Sequence, residues 1–160
     1  MKTCVFAGTF DPITTGHEYV IKKCLTVFDK VVIAVGVNKA KNPLFSQAER
    51  VALIKSVFED ESRVEVCEFD GMLVDFMKEK GITVNVRGIR NEDDYKYETT
   101  MSRYNLDMYP ELLTMYIPTP VELEYVSSSA VRNIIELNSD CSKYLPKAVM
   151  EFINLKIKNK

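Results

Sequence analysis

The chain has 160 residues and a net charge of −2, with 46% apolar and 28% charged residues; that suits one domain over 1–160, able to bury roughly 70% of its unfolded surface. The near-neutral balance excludes the broad basic field that long nucleic acids require, so a phosphate ligand must be met by a few local cations and backbone amides. Four cysteines without CxxC spacing and a single histidine also argue against a zinc site built by the protein.

Met1–Phe6 is a short apolar run that meets Gly8 and Asp11 at once, and it reads as a first strand centred on Val5–Ala7, not as a signal peptide. Disulfides are accordingly not expected. Thr15–Phe28 carries Val20, Cys24, Val27 and Phe28 at helical spacing. Lys30–Val37 is a β-branched run suited to a strand buried on both faces. Its apolar core is far below the ~20 residues of a membrane span, so neither a membrane partner nor a location outside the cytoplasm is expected. Ser46-Gln-Ala-Glu49 is a capping box opening a helix to about Phe58. Arg63–Cys67 reads as a strand, Leu73–Lys80 as a helix stopped by Gly81, and Thr83–Arg87 as a strand. Asn91–Met108 is a long helix broken before Pro110, and Leu113–Ile117 is a fifth strand ended by Pro118 and Pro120. Ser127–Leu137 and Pro146–Lys156 close the chain as helices. Alternating strands and helices predict an α/β, Rossmann-like doubly wound sheet of five parallel strands with helices on both faces. In such sheets ligands lie beyond the carboxyl ends of the strands.

The first strand ends in Gly8-Thr9-Phe10-Asp11-Pro12-Ile13-Thr14-Thr15-Gly16-His17. Gly8 permits a sharp turn and a close ligand approach. Thr14 is the expected N-cap, which puts His17 in the first helical turn, where free amides and the macrodipole attract anions. The same dipole lowers the His17 pKa, leaving a neutral ring that donates one hydrogen bond to a phosphate without doing proton chemistry. A lone histidine at a helix start is most often merely solvated; the glycine, the hydroxyls and the strand end weigh against that here. The last strand is followed by Val126-Ser127-Ser128-Ser129-Ala130-Val131-Arg132. Its hydroxyls and helix-start amides form a second anion cradle within reach of Arg132. Alone, a serine triplet is usually a loop and a cap.

Together the two segments resemble the TxGH and ISSTxxR/K motifs of the nucleotidylyltransferase superfamily. Three further stretches resemble phosphopantetheine adenylyltransferase: Lys39-Ala-Lys41-Asn-Pro43-Leu-Phe45, Phe69-Asp-Gly-Met-Leu73-Val-Asp-Phe76, and Arg87-Gly88-Ile89-Arg90 with Tyr95-Lys-Tyr97-Glu98 and Asn105. The resemblance runs from about Cys4 to Pro146. It implies adenylyl transfer from ATP to 4′-phosphopantetheine, giving dephospho-CoA and pyrophosphate, with Mg2+ carried on the ATP phosphates and no metal ligand from protein side chains. It also implies a homohexamer and feedback by CoA. His17, Thr9 and Lys41 take the catalytic roles it implies. Thr9, Lys41, Leu73 and Arg87 contact the acceptor. Thr9, Phe10, His17, Gly88, Ile89, Arg90, Glu98, Leu123, Glu124, Tyr125, Val126, Ser127, Ser128 and Ser129 contact ATP.

By their own chemistry, Lys41 is equally a solvated loop lysine, the two arginines equally surface ion pairs, and Leu73 equally a core residue. The chain departs from the family pattern at Leu106 and Glu136, where a basic residue is common, and at Asn133, where Glu is common. Two rival readings stay open on the residues alone: a nucleotidylyltransferase for another small acceptor, and a non-catalytic ATP sensor on the same fold.

Overall fold

The computed structural model describes residues 1–37 and 43–158. In chain order the elements are β1 Thr3–Gly8, α1 Thr15–Cys24, β2 Lys30–Gly36, α2 Gln47–Val57, β3 Val64–Phe69, α3 Leu73–Lys80, β4 Val84–Ile89, α4 Glu92–Met108, β5 Leu113–Pro118, α5 Ser128–Glu136 and α6 Lys147–Lys158. A short 3-10 turn spans Val121–Leu123 before α5. The sheet is wholly parallel, in the order β3-β2-β1-β4-β5. The chain winds outward from β1 through β2 and β3, then crosses to the other side of β1 through α3. β1 and β4 are therefore the neighbours at which the winding direction reverses, and a crevice opens at their carboxyl ends.

The central strands β1 and β2 bury both faces, as the sequence of β2 predicts. Cys4 and Phe6 of β1 and Val31, Ile33 and Val35 of β2 join Val20, Ile21, Leu53, Ile54, Val131, Val149 and Ile153 in one core. Val5, Ala7, Val32 and Ala34, the alternate residues, pack with Val74, Met77, Ile82 and Leu112 in the other. The four cysteines are free thiols.

Local chemistry sets the helix ends. Ser46 and Glu49 form the predicted capping box of α2. Gly81 caps α3 in the left-handed conformation (φ 64°). Some boundaries, and the turn residue of the first loop, differ from expectation. The α1 helix stops at Cys24, and Val27 lies 60% exposed beyond it, because Leu25 and Thr26 tie the last carbonyls of the helix. β4 runs two residues past Arg87, since Gly88 and Ile89 stay in register with Ile117 and Pro118 of β5. Gly88 and Ile89 are thus strand residues, not loop. The left-handed residue of the first loop is Phe10 (φ 51°), not Gly8. Gly8 gives room of a different kind: a Cβ there would stand 3.1 Å from the Phe10 ring and press it aside.

Candidate active site

The carboxyl ends of β1 and β4 and the start of α5 enclose a cavity of about 470 Å3. Its wall holds His17, Thr9 and Phe10 from the first loop, Arg87, Gly88, Arg90 and Glu98 from β4 and α4, and Val126, Ser127, Ser128, Ser129 and Arg132 from the last. The TxGH loop and the serine triplet therefore face the same space. Two contacts join them across 116 and 121 residues. Ser128 donates to the Pro12 carbonyl (2.8 Å), and Arg132 Nη1 donates to the Asp11 carbonyl (2.8 Å). Arg132 Nη2 donates to the Ser129 hydroxyl at 3.1 Å. The α5 cap is Ser127, whose hydroxyl accepts from the Ala130 amide.

Thr14 caps α1 as expected, and His17 completes the box in the place usually held by Glu or Gln. The Thr14 amide donates to His17 Nδ1 at 3.1 Å, and the Thr14 hydroxyl lies 3.0 Å from the same nitrogen. An amide only donates, so Nδ1 is the unprotonated nitrogen and Nε2 carries the hydrogen. The ring is half-buried, edge-on to Phe10 at 5.0 Å. Its pKa falls from 6.5 to about 4. The cause differs from the dipole expectation: burial is the largest contribution, followed by the charges of Arg90 and Arg87. Because the folded pKa lies below the unfolded one, the unfolded chain binds a proton first. His17 therefore withdraws stability as pH falls from about 6.5 to 4, by up to ~3 kcal/mol. Melts across that window are expected to show this slope in the native chain and to lose it in His17→Gln; an unchanged slope would assign it to other groups.

The arginines of β4 are held by acids of α4. Arg87 donates Nε and Nη2 to the two oxygens of Glu98 (2.8 and 2.6 Å) and Nη1 to the Ala7 carbonyl (2.6 Å). Arg90 pairs with Asp94 at 2.8 Å and holds that carboxyl below its usual range. Gly88 lies between them because a Cβ would meet Val20 Cγ2 at 2.9 Å. A second cavity of about 280 Å3 shares Ala7, Gly8, Thr9 and Arg87 with the first and extends to Gly36, Val37, Phe69 and Leu73. Thr9 and Arg87 form the wall between the two.

Ile89, Leu123, Glu124 and Tyr125 are not among the cavity-lining residues, and Tyr125 is 54% exposed. Lys41 lies outside the described residues. Asp11, Arg50, Asp94 and Thr119 also line the main cavity, and the sequence reading did not select them. Asp11 is 3% exposed and accepts from the Leu44 and Phe45 amides at 2.9 Å each, hooking the start of α2 to the first loop. Arg50 had a readable sign: a cation at helical spacing with the buried Leu53 and Ile54.

A family profile described as cytidylyltransferase-like matches residues 5–134. A phosphopantetheine adenylyltransferase of Clostridium botulinum is 41% identical over 160 residues, covering 100% of this chain and 98% of the relative. Another, from Geotalea daltonii, is 40% identical over 156 residues, covering 98% and 97%. Among solved structures, a bifunctional NMN adenylyltransferase/ADP ribose pyrophosphatase from Francisella tularensis superposes with a TM-score of 0.78 at 17% identity. It covers 98% of this chain and 50% of that one, a likeness of fold.

Proposed function

Because the chain belongs to the phosphopantetheine adenylyltransferases, within the cytidylyltransferase-like family, we propose that the cavity between β1, β4 and α5 is the site of its reaction. The enzyme transfers the adenylyl group of ATP to 4′-phosphopantetheine, giving dephospho-CoA and pyrophosphate. The observation that carries the siting is the convergence of the His17 imidazole and the Ser127–Ser129 hydroxyls on one cavity.

The acceptor phosphate is already an anionic nucleophile, so the site needs no general base. It needs charge shielding and in-line placement on the α-phosphorus of ATP. His17 supplies the Nε2 hydrogen to an α-phosphate oxygen, in a tautomer that Thr14 enforces. Arg132, the serine triplet and the α5 amides hold the β- and γ-phosphates. Thr9, on the shared wall, meets both substrates, Arg87 beside it meets the acceptor, and Leu73 in the second cavity lies along the pantetheine arm. Lys41 keeps its implied acceptor role. The cavity's carboxylates Asp11, Asp94 and Glu98 are engaged by arginines and amides, so the donor set suits Mg2+ held through the nucleotide's own phosphates. When bound there, the ion screens the triphosphate and eases pyrophosphate departure.

The test is turnover with ATP and an acceptor panel, following pyrophosphate and dephospho-CoA. Turnover on nicotinamide mononucleotide or glycerol phosphate but none on phosphopantetheine would replace the acceptor. ATP binding without turnover on any acceptor would leave a sensor.

A homohexamer belongs to the same reading. It is supported by α4, which buries none of its residues, and by β5, an edge strand that exposes Leu113 and Met115. Sedimentation is expected to give an assembly; a monomer at micromolar concentration would remove this part. CoA, which carries the same pantetheine arm, is the proposed feedback ligand of the second cavity. The cytoplasm is the proposed compartment. Four free thiols accord with it, and among the described residues no helix is long and apolar enough to cross a membrane.

A further inference from the structure

Four arginines line the main cavity, and three of them are paired with acids: Arg87 with Glu98, Arg90 with Asp94 and Arg132 with Asp11. Arg50 is the fourth. It projects from α2 and is 3% exposed. Its Nη1 donates to the carbonyls of Thr9 (2.6 Å) and Gly36 (3.2 Å), at the tips of β1 and β2. Among the described residues its Nε has no hydrogen-bond partner and no carboxylate pairs with it. Asp11, the acid of the neighbouring turn, is engaged with the Leu44 and Phe45 amides. A buried charge without a counter-charge is costly, and two carbonyl oxygens offset only part of that cost. A cation in that condition on a cavity wall marks a place where a ligand supplies the missing charge.

We propose that Arg50 is a positioning residue for adenylyl transfer: it fixes the Thr9 turn against the β2 tip, and a phosphate group bound beside Thr9 neutralises its charge. The inference rests on the reading of this cavity as the ATP and phosphopantetheine site. Thr9 lines both cavities, so the phosphate in question sits at their junction. Two groups have that chemistry there, the acceptor phosphate and the nucleotide's α-phosphate. The effect on the reaction has two parts. Holding the Thr9 carbonyl fixes the peptide plane that it shares with the Phe10 amide, and with it the turn on which Thr9 and Phe10 line the cavity. The unpaired charge draws the phosphate into place before reaction.

The experiment compares the native chain with Arg50→Met and Arg50→Lys. Circular dichroism first establishes that each variant is folded. Melting shifts are then measured with ATP alone, with phosphopantetheine alone and with unphosphorylated pantetheine, alongside kcat and KM for both substrates. Arg50→Met is expected to lose at least ten-fold in kcat/KM. It is also expected to lose most of the melting shift given by one phosphate ligand, while the shift with pantetheine stays as in the native chain. Loss with phosphopantetheine assigns the charge to the acceptor, and loss with ATP assigns it to the nucleotide. Arg50→Lys is expected to restore that shift and KM in part but not kcat, because the charge returns without the rigid planar guanidinium that fixes Nη1 between the two carbonyls. Should Arg50→Met not fold, Arg50→Lys decides by the same measurements. A folded variant that melts lower yet keeps native KM values and native ligand shifts would reduce Arg50 to a structural tie and overturn the proposal. If the native chain itself gives no dephospho-CoA and no shift with either phosphate ligand, the site reading fails instead.

Discussion

His17→Ala is expected to lose at least ~10²–10³ of turnover while ATP binding changes little, because in the proposed mechanism it removes a donor aimed at charge that develops only in the transition state. The structure separates this loss from a folding defect. The α1 cap survives the substitution, since the Thr14 hydroxyl accepts from the His17 backbone amide. What disappears is the ring and its Nδ1 partnership with the Thr14 amide. The reciprocal half of such a box contributes ~1 kcal/mol, far short of unfolding a domain. The deficit is also expected to be flat with pH between 6 and 8, because a ring with a pKa of about 4 is neutral throughout that range. Pyrophosphate release gives the rate and calorimetry gives the ATP affinity. A near-native rate would take His17 out of the mechanism. A deficit that grows below pH 7 would show that the ring titrates higher than burial and the two arginines imply.

Arg87→Ala is expected to lower kcat/KM for the acceptor by ~10–100-fold and to destabilise the fold by about 1–3 kcal/mol. Both effects follow from its position. The guanidinium stands on the wall between the two cavities, yet its hydrogen bonds in the structure go to Glu98 and to the Ala7 carbonyl. Removing it leaves the Glu98 carboxylate, with 14% side-chain exposure, facing no partner. The double variant Arg87→Ala with Glu98→Ala is therefore expected to recover most of the stability but none of the acceptor affinity. The cycle also tests Glu98. A role through Arg87 predicts that Glu98→Ala raises the acceptor KM. A role in direct ATP contact predicts a raised ATP KM instead. Native acceptor kinetics in Arg87→Ala would remove that wall from the acceptor site.

The readable parts of this protein are those whose physics is local. A capping box needs residues three apart, so Ser46 with Glu49 and Thr14 with His17 stand in the sequence as they do in the fold. A left-handed helix cap needs glycine, and Gly81 marks the end of α3. Boundaries failed where a partner decided them: β4 continues through Gly88 and Ile89 because β5 pairs with them, which no local pattern in β4 announces.

The alternating parallel architecture and the helix caps are legible in the sequence, as are the two segments that line the cavity, since periodicity, caps and residue chemistry are properties of neighbouring residues. Packing alone brings Pro12 to Ser128, holds Arg87 by Glu98, and buries Arg50 between the tips of two strands with no acid paired to it among the described residues. Those relations depend on the strand order and on which face of each helix turns inward. Burial and long-range pairing are set by the whole packed chain, so the reason for the depressed His17 pKa, burial beside two arginines more than a helix dipole, became visible only once the sheet had closed around it.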